Sequence, residues 1–213
     1  MSPSPNKVAK QYDLVAREYA ETFAGEHEKK PMDREILHRF AKEVGSRGPV
    51  WDFGCGPGHT TRYLKDLGVE ITGLDVSDRM LDQARAMNPE IGFRKGDMIG
   101  LDFDDDSIAA IVAFYSIVHF TEEQVGTAFR EIYRVLRPDG RFLFTYHIGE
   151  ETIHVDEFLG KPVDMDFMFF QTDFITRSLE KSGFQKIEVI EREPYPNVEF
   201  PSRRAYAFAR KKR

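Results

Sequence analysis

Cysteine is nearly missing: the 213 residues hold one, so no disulfide framework is available and a reducing compartment fits. Long apolar runs are lacking as well. No stretch approaches the roughly 20 residues needed to cross a bilayer, and the N-terminal MSPSPNKVAK has no uninterrupted apolar segment of the kind a secretory leader carries. A cytoplasmic protein without a membrane partner is expected. Positive charge is not in excess either, since 30 Lys and Arg stand against 36 Asp and Glu, a formal net charge of −6. Tracking a phosphate backbone needs clustered Lys and Arg, so nucleic acid is not an expected partner. The basic cluster from Arg210 to Arg213 reads as a solvated tail. Asp104, Asp105 and Asp106 read as a solvated turn, because no histidine or further carboxylate stands at metal-ligand spacing, and no metal is expected.

What is present is an ordinary globular composition, 41% apolar with 18 phenylalanines, enough to bury one substantial core. A single domain over 1–213 is expected. Val8, Tyr12, Val15, Tyr19 and Phe23 recur at helical spacing, and Ile36, Leu37 and Phe40 repeat the pattern after Pro31, so 1–46 reads as two helices. From Pro49 short β-rich runs alternate with helices: VWDF, a helix through Tyr63 to Leu67, VEITGLDV, then a helix from Ser77 to Met87. IGFRKGD and IAAIVAFYS read as two more strands, the second apolar throughout, as a strand buried on both faces must be. Thr121 and Gln124 form a capping box for the next helix, and Pro138-Asp139-Gly140 ends it ahead of the strand RFLFTYHI. This alternation over 49–148 predicts right-handed βαβ units and a doubly wound, Rossmann-like α/β sheet. Residues 149–171 follow no single period and read as a lid insertion. A helix from Thr172 to Lys181 and two strands, FQKIEVIERE and RRAYAFARK, fill 172–213; the loop joining the strands is too short for a helical crossover, so they run antiparallel.

In an open α/β sheet, ligands bind beyond the carboxyl ends of the strands where the winding reverses. Gly54-Cys55-Gly56-Pro57-Gly58 follows the first strand, and its glycines let backbone N–H groups approach a ligand without Cβ clashes. The spacing is G-x-G-x-G with His59 next, so the third glycine of the dinucleotide fingerprint G-x-G-x-x-G is missing. Asp52, inside the first strand, can support that loop or face an ammonium group, and it would repel a pyrophosphate. Asp75, ending the second strand, can take both ribose hydroxyls, with Val76 and Met80 close behind it as cofactor neighbours; its plainer role is to start the helix. Asp97 and Met98 follow the third strand where an adenine would lie, or form a simple turn.

Taken in order, VWDFGCGPGHTTRYL, GLDVSDRML, KGDM, AFYSIVHF and EIYRVLRPDGRFLF resemble the motifs of class I S-adenosylmethionine-dependent methyltransferases, over roughly Val50 to Phe144. They look like the small-molecule branch that includes ubiquinone-biosynthesis-type enzymes. The resemblance implies S-adenosylmethionine as cofactor, with Gly54, Cys55, Gly56 and nearby backbone at its methionine end, Asp75 at the ribose, and Asp97 with Met98 at the adenine. It implies strand order 3-2-1-4-5-7-6 with strand seven antiparallel. It also implies that YDLVAREYA folds over the cofactor, which makes Tyr12 and Tyr19 lid residues; their other reading is as core aromatics of an amphipathic helix. Tyr115 is expected to orient the cofactor through its backbone.

Methyl transfer from a sulfonium is an in-line displacement, so alignment comes first, at roughly 7–11 kcal/mol in favourable cases. A general base adds about 10²–10⁴-fold. His119, following the fourth strand, leads the base candidates; otherwise it packs and hydrogen-bonds beneath the acceptor loop. His147 and His154 are its rivals. The insertion mixes Phe158, Met165 and Phe167 with Asp156, Asp164 and Asp166, an apolar cover with polar anchors that suits a small organic acceptor. Arg203 or Arg204 can fork onto an acceptor carboxylate or phosphate, or form a cross-strand ion pair. Phe114-Tyr115-Ser116 stands where nucleic-acid amino-methyltransferases carry Asp/Asn-Pro-Pro-Tyr/Phe. The expected function is methyl transfer to an O, N or C nucleophile of a small metabolite. Two alternatives stay open: a non-catalytic module that binds S-adenosylmethionine or S-adenosylhomocysteine, and a nicotinamide oxidoreductase, which the glycine spacing and the lack of a separate substrate domain disfavour.

Overall fold

The computed structural model describes residues 5–213. The chain begins with helices α1 (Pro5–Thr22) and α2 (Pro31–Val44), joined through a 3₁₀ turn, Glu26–Lys29. The alternating region follows: β1 (Val50–Phe53), α3 (His59–Asp66), β2 (Ile71–Asp75), α4 (Asp78–Met87), β3 (Phe93–Lys95), β4 (Ile108–Ala113), α5 (Glu122–Val135) and β5 (Leu136–His147). Then come β6 (Thr152–Phe158), β7 (Lys161–Met168), α6 (Thr172–Lys181), β8 (Gln185–Arg192) and β9 (Arg204–Arg210).

Seven strands form one sheet in the order β3-β2-β1-β4-β5-β9-β8, with β9 antiparallel to both neighbours and the first five strands parallel. This is the order expected from the sequence, with β6 and β7 standing outside the sheet. Successive side chains of a strand point to opposite faces. Ile111 and Ala113 of β4 accordingly join Phe142, Phe144, Phe129 and Ile132 in the core under α5 and α6. Ala110 and Val112 join Leu37, Phe40 and Leu64 in the core under α2 and α3.

Local signals explain where the elements start. Pro31 sits in the first turn of α2, Ser77 Oγ accepts the Met80 N–H at the start of α4, and Thr121 and Gln124 close the reciprocal capping box of α5. Such caps are worth about 1 kcal/mol each. Two segments differ from the sequence reading. Pro138-Asp139-Gly140 lies inside β5 rather than ahead of it: Leu136 already pairs with Ile108, and the register jumps before Arg141 meets Ala110, around Asp139 at φ +60°. Residues 149–171 are not aperiodic. They fold as the β6–β7 hairpin, turning at Leu159-Gly160 with φ of +53° and +74°, as a tight two-residue hairpin turn requires. Val163-Asp164-Met165-Asp166-Phe167 alternates cleanly, but a register shift between Val155 and Glu157 breaks the same rhythm in β6.

The hairpin and α1 share a small core of Val15, Val163 and Met165. Lys161 pairs with Glu18 and Lys7 with Asp164, at 3.1 and 2.7 Å. On its other side α1 is tied to α4, where Asp13 accepts from Ser77 Oγ and the Arg79 N–H. α1 thus roofs the carboxyl ends of the parallel strands. Among the described residues no helix is long and apolar enough to cross a membrane.

Candidate active site

Under that roof the glycine loop leaves β1 at Gly54, whose φ is +70° and whose N–H donates to Leu74 O. A Cβ there would stand 2.5 Å from Ser116 Cβ, so glycine is required on steric grounds as well as conformational ones. Asp75 organises the same loop: Oδ2 accepts from the Gly56 N–H and Oδ1 from the Ser77 N–H, both at 2.8 Å. The carboxylate is buried, and burial raises its pKa. Each oxygen keeps a further lone pair. Asp97 accepts the Ile99 N–H, Met98 is buried beside it, and desolvation raises Asp97 as well.

These groups line a cleft of about 830 Å³, its open mouth included. Tyr12, Tyr19, Gly54, Gly56, Asp75, Val76, Met80, Asp97, Met98 and Tyr115 all line it. Asp52 and Cys55 do not; they face a smaller adjoining recess that Glu26, Asp33 and His59 also line. Asp52 is buried, accepts from Thr61 Oγ1 at 2.6 Å, and is pushed up to about 7 by loss of solvent. Burial also raises the Cys55 thiol well above its usual value, so it is no nucleophile. Tyr115 is held at φ +51°, costly for a bulky residue, with its N–H donated to Thr145 Oγ1 at 2.8 Å. Its hydroxyl is buried without a hydrogen-bond partner.

A second cleft, about 1080 Å³ with its mouth, opens beside the first. Its walls are Ile153, Val155, Phe158, Phe167 and Phe169 from the hairpin, with Phe23 and Phe200, and its polar end carries Glu26, Lys30, Glu199 and Arg204. Tyr12, Tyr19 and Tyr115 line both clefts. The two spaces therefore meet at these three rings.

The three candidate bases fare differently. His119 is buried at this junction, its Nδ1 2.7 Å from Asp166 O and its Nε2 2.8 Å from the Tyr12 hydroxyl. A carbonyl can only accept, so Nδ1 carries the proton and Nε2 accepts from Tyr12. Burial lowers its pKa. His147 lines the second cleft with its ring stacked on Phe169, and burial together with Arg204 lowers it to about 3. A group that weakly basic is a poor proton acceptor near neutral pH. His154 lies outside both clefts on the exposed face of β6, where Nδ1 meets Asp166 Oδ1 at 2.8 Å; the hairpin turns it to solvent, contrary to the sequence reading. Arg203 takes the ion-pair role, bound to Glu191 and Glu193. Arg204 is buried and lines the second cleft. Sequence reasoning missed Lys30, Glu26 and Glu199, since charged residues in a turn and a loop look solvated.

A family model described as "Methyltransferase domain" matches residues 50–140. The chain is 36% identical over 116 residues to the uncharacterized methyltransferase YcgJ of Bacillus subtilis, covering 52% of this chain and 45% of that one. It is 32% identical over 116 residues to a malonyl-[acyl-carrier protein] O-methyltransferase of Pseudescherichia vulneris, covering 54% and 45%. The chain thus spans about half the length of these curated relatives. Among solved structures, the [4+2]-cyclase SpnF superposes with a TM-score of 0.71 at 20% identity, over 99% of this chain and 98% of that one. Sheet order, motif series and relatives agree: residues 50–140 match a methyltransferase domain, and the sheet has the Rossmann-like fold of class I S-adenosylmethionine-dependent methyltransferases. S-adenosylmethionine is the cofactor of that class, and the nicotinamide alternative falls with this assignment. The residues present fit it: Asp75 has spare acceptor capacity, Gly56 in the loop faces open space, and three carboxylates, Glu26, Asp33 and Asp52, border the recess beside the loop.

Proposed function

We propose that the protein transfers the methyl group of S-adenosylmethionine to a small organic acceptor seated in the second cleft. The observation that carries this reading is the junction, where Tyr12, Tyr19 and Tyr115 line both spaces, so a donor in one and an acceptor in the other meet there. The donor supplies an electrophilic methyl carbon on a sulfonium. In this reading Asp75 holds the ribose hydroxyls, Met98 and Asp97 flank the adenine, and Asp52 with the glycine-loop backbone serves the methionine end. Tyr12 and Tyr19 exclude water from above. Because Nε2 of His119 already accepts from Tyr12, an acceptor proton would pass to it only as the phenol turns aside; with an acceptor that is already anionic, alignment suffices. Net acidic charge and the apolar second cleft support a small molecule over nucleic acid. A cytoplasmic setting accompanies this reading, in keeping with the single buried thiol.

Incubation with methyl-labelled S-adenosylmethionine and a fractionated small-molecule extract tests the proposal by mass spectrometry. A metabolite gaining one labelled methyl, with equimolar S-adenosylhomocysteine, is the expected result. Tight cofactor binding with no label transferred would favour a module that keeps the cofactor as structure, a reading prompted by the whole-length likeness to a [4+2]-cyclase.

A further inference from the structure

The polar end of the second cleft sets two buried cations, Lys30 and Arg204, beside two carboxylates, Glu26 and Glu199. Arg204 is 4% exposed. Its Nη1 donates to Phe200 O and Ser202 O, which fixes the guanidinium; Nε makes no hydrogen bond, although Glu199 Oε2 lies 3.3 Å away as an ion-pair partner. Lys30 is 7% exposed; its ammonium donates to Glu26 at 2.6 Å and lies 3.9 Å from Glu199, leaving N–H capacity unused. Glu199 is the fully engaged carboxylate, accepting from Arg192 through both oxygens and from the Tyr195 N–H. Asp33, behind it, accepts from Tyr206 and Arg192 through Oδ1 alone, its Oδ2 being buried without a hydrogen-bond partner.

Lys30 Nζ and Arg204 Cζ stand 6.0 and 5.7 Å from the centroid of one ring, Tyr115, whose own hydroxyl has no partner. Register brings them there: Arg204 opens β9 directly opposite His147, the last residue of β5. Burial lowers the pKa of His147 most, and Arg204, Lys30 and Arg192 add to it while Glu199 opposes them. Beyond the cations the cleft turns apolar and aromatic along the hairpin.

We infer that Lys30, Arg204 and the Tyr115 hydroxyl form a seat for a carboxylate, so that the methyl acceptor is an amphipathic acid whose apolar body lies along the hairpin aromatics. This rests on the reading of the second cleft as the acceptor site. A carboxylate is acceptor-only and answers unfilled N–H and O–H groups, and charge-assisted bonds to it are the strong ones. A neutral amide of the same shape brings its own donors to a place already rich in them.

The test uses 2-naphthoate and its isostere 2-naphthamide as probes, titrated calorimetrically into the whole protein with and without S-adenosylhomocysteine. The wild type should bind the acid at least about 10-fold tighter than the amide. Lys30→Met and, separately, Arg204→Gln should bring that ratio towards one while S-adenosylhomocysteine affinity stays within about threefold. Thermal melts show which variants fold, and Lys30→Met carries the test if Arg204→Gln does not. Equal binding of acid and amide, no naphthoate binding, or an unchanged ratio in Lys30→Met overturns the seat. So does a parallel loss of S-adenosylhomocysteine affinity, because the cations would then hold the cofactor's own carboxylate. Failure of the wild type to bind S-adenosylhomocysteine at all would sink the methyl-transfer reading instead, while the ratio measured without cofactor would still decide the seat.

Discussion

Asp75→Ala is the substitution with the most to say about the first cleft. In the structure one carboxylate already accepts from the Gly56 and Ser77 N–H groups, and its remaining lone pairs are those the proposed ribose contact would use. Hydrogen bonds to a charged group contribute about 1.5–3 kcal/mol each. Losing two to the cofactor therefore costs at least about 3 kcal/mol, or a little over 100-fold in affinity at about 1.4 kcal/mol per tenfold. Loosening of the Gly56 amide can only add to this. Calorimetric titration with S-adenosylhomocysteine is the assay, and near-UV circular dichroism establishes that the variant is folded. A pH series on the wild type adds a second axis. Burial raises Asp75, so protonation begins above the ordinary carboxylate range, and affinity should fall as pH drops into that raised range. A folded Asp75→Ala protein that binds S-adenosylhomocysteine within a few-fold of wild type would refute the ribose role.

Three further outcomes are expected. Asp52 is lifted from 3.8 to about 7, so the native state holds a proton that the unfolded chain releases, and this carboxyl lowers stability as pH rises between those values. Asp52→Asn should therefore melt higher than the cofactor-free wild type by a margin that widens from about pH 5 to 8; a constant margin would place the charge in solvent. His119→Ala should leave S-adenosylhomocysteine affinity nearly unchanged and cut turnover by about 10²–10⁴-fold if the imidazole takes the acceptor's proton, the loss falling on the acid limb of the wild-type profile below the ordinary histidine range; turnover within a few-fold removes it from the chemistry. Amides of β6 and β7 should exchange faster than those of β4 and β5 in the free protein and slow when S-adenosylhomocysteine and the identified acceptor are both present. Equal, strong protection in both states would make the hairpin a fixed wall.

Much of the fold was legible because its signals are local. β4 is apolar at every position since helices cover both faces, Thr121 and Gln124 announce α5, and the short connection before RRAYAFARK forces β9 to run antiparallel. The glycine loop, Asp75 and Asp97-Met98 were legible because parallel strands present their carboxyl ends on one rim, so strand ends read in order give neighbours in space. The hairpin was not, because a bulge in β6 breaks its period and its apolar side faces α1, far away in sequence. His119 was located, but its engagement with Tyr12 joins residues 107 positions apart, which no spacing reveals. Lys30 escaped for the same reason: it looks like an ordinary surface charge until the fold buries it beside Tyr115, whereas Arg204 was named only as one of a pair. Arg203 and Arg204 are adjacent, and only the strand's pleat decides which one faces inwards.

The boundary of the recognisable domain has an evolutionary consequence. Residues 50–140 contain Asp52, the glycine loop, Asp75, Asp97, Met98 and Tyr115, whereas the hairpin aromatics, His147, Glu199 and Arg204 follow it and Lys30 precedes it. On the proposed roles, the gene carries most of the donor site in one stretch and most of the acceptor site in others, with Tyr12, Tyr19 and Tyr115 shared by both. On that reading, exchanging the code for the hairpin and for the loop that ends at Arg204 would change what is accepted while leaving most of the donor site in place. One inherited scaffold could in this way supply catalysts with unrelated clients.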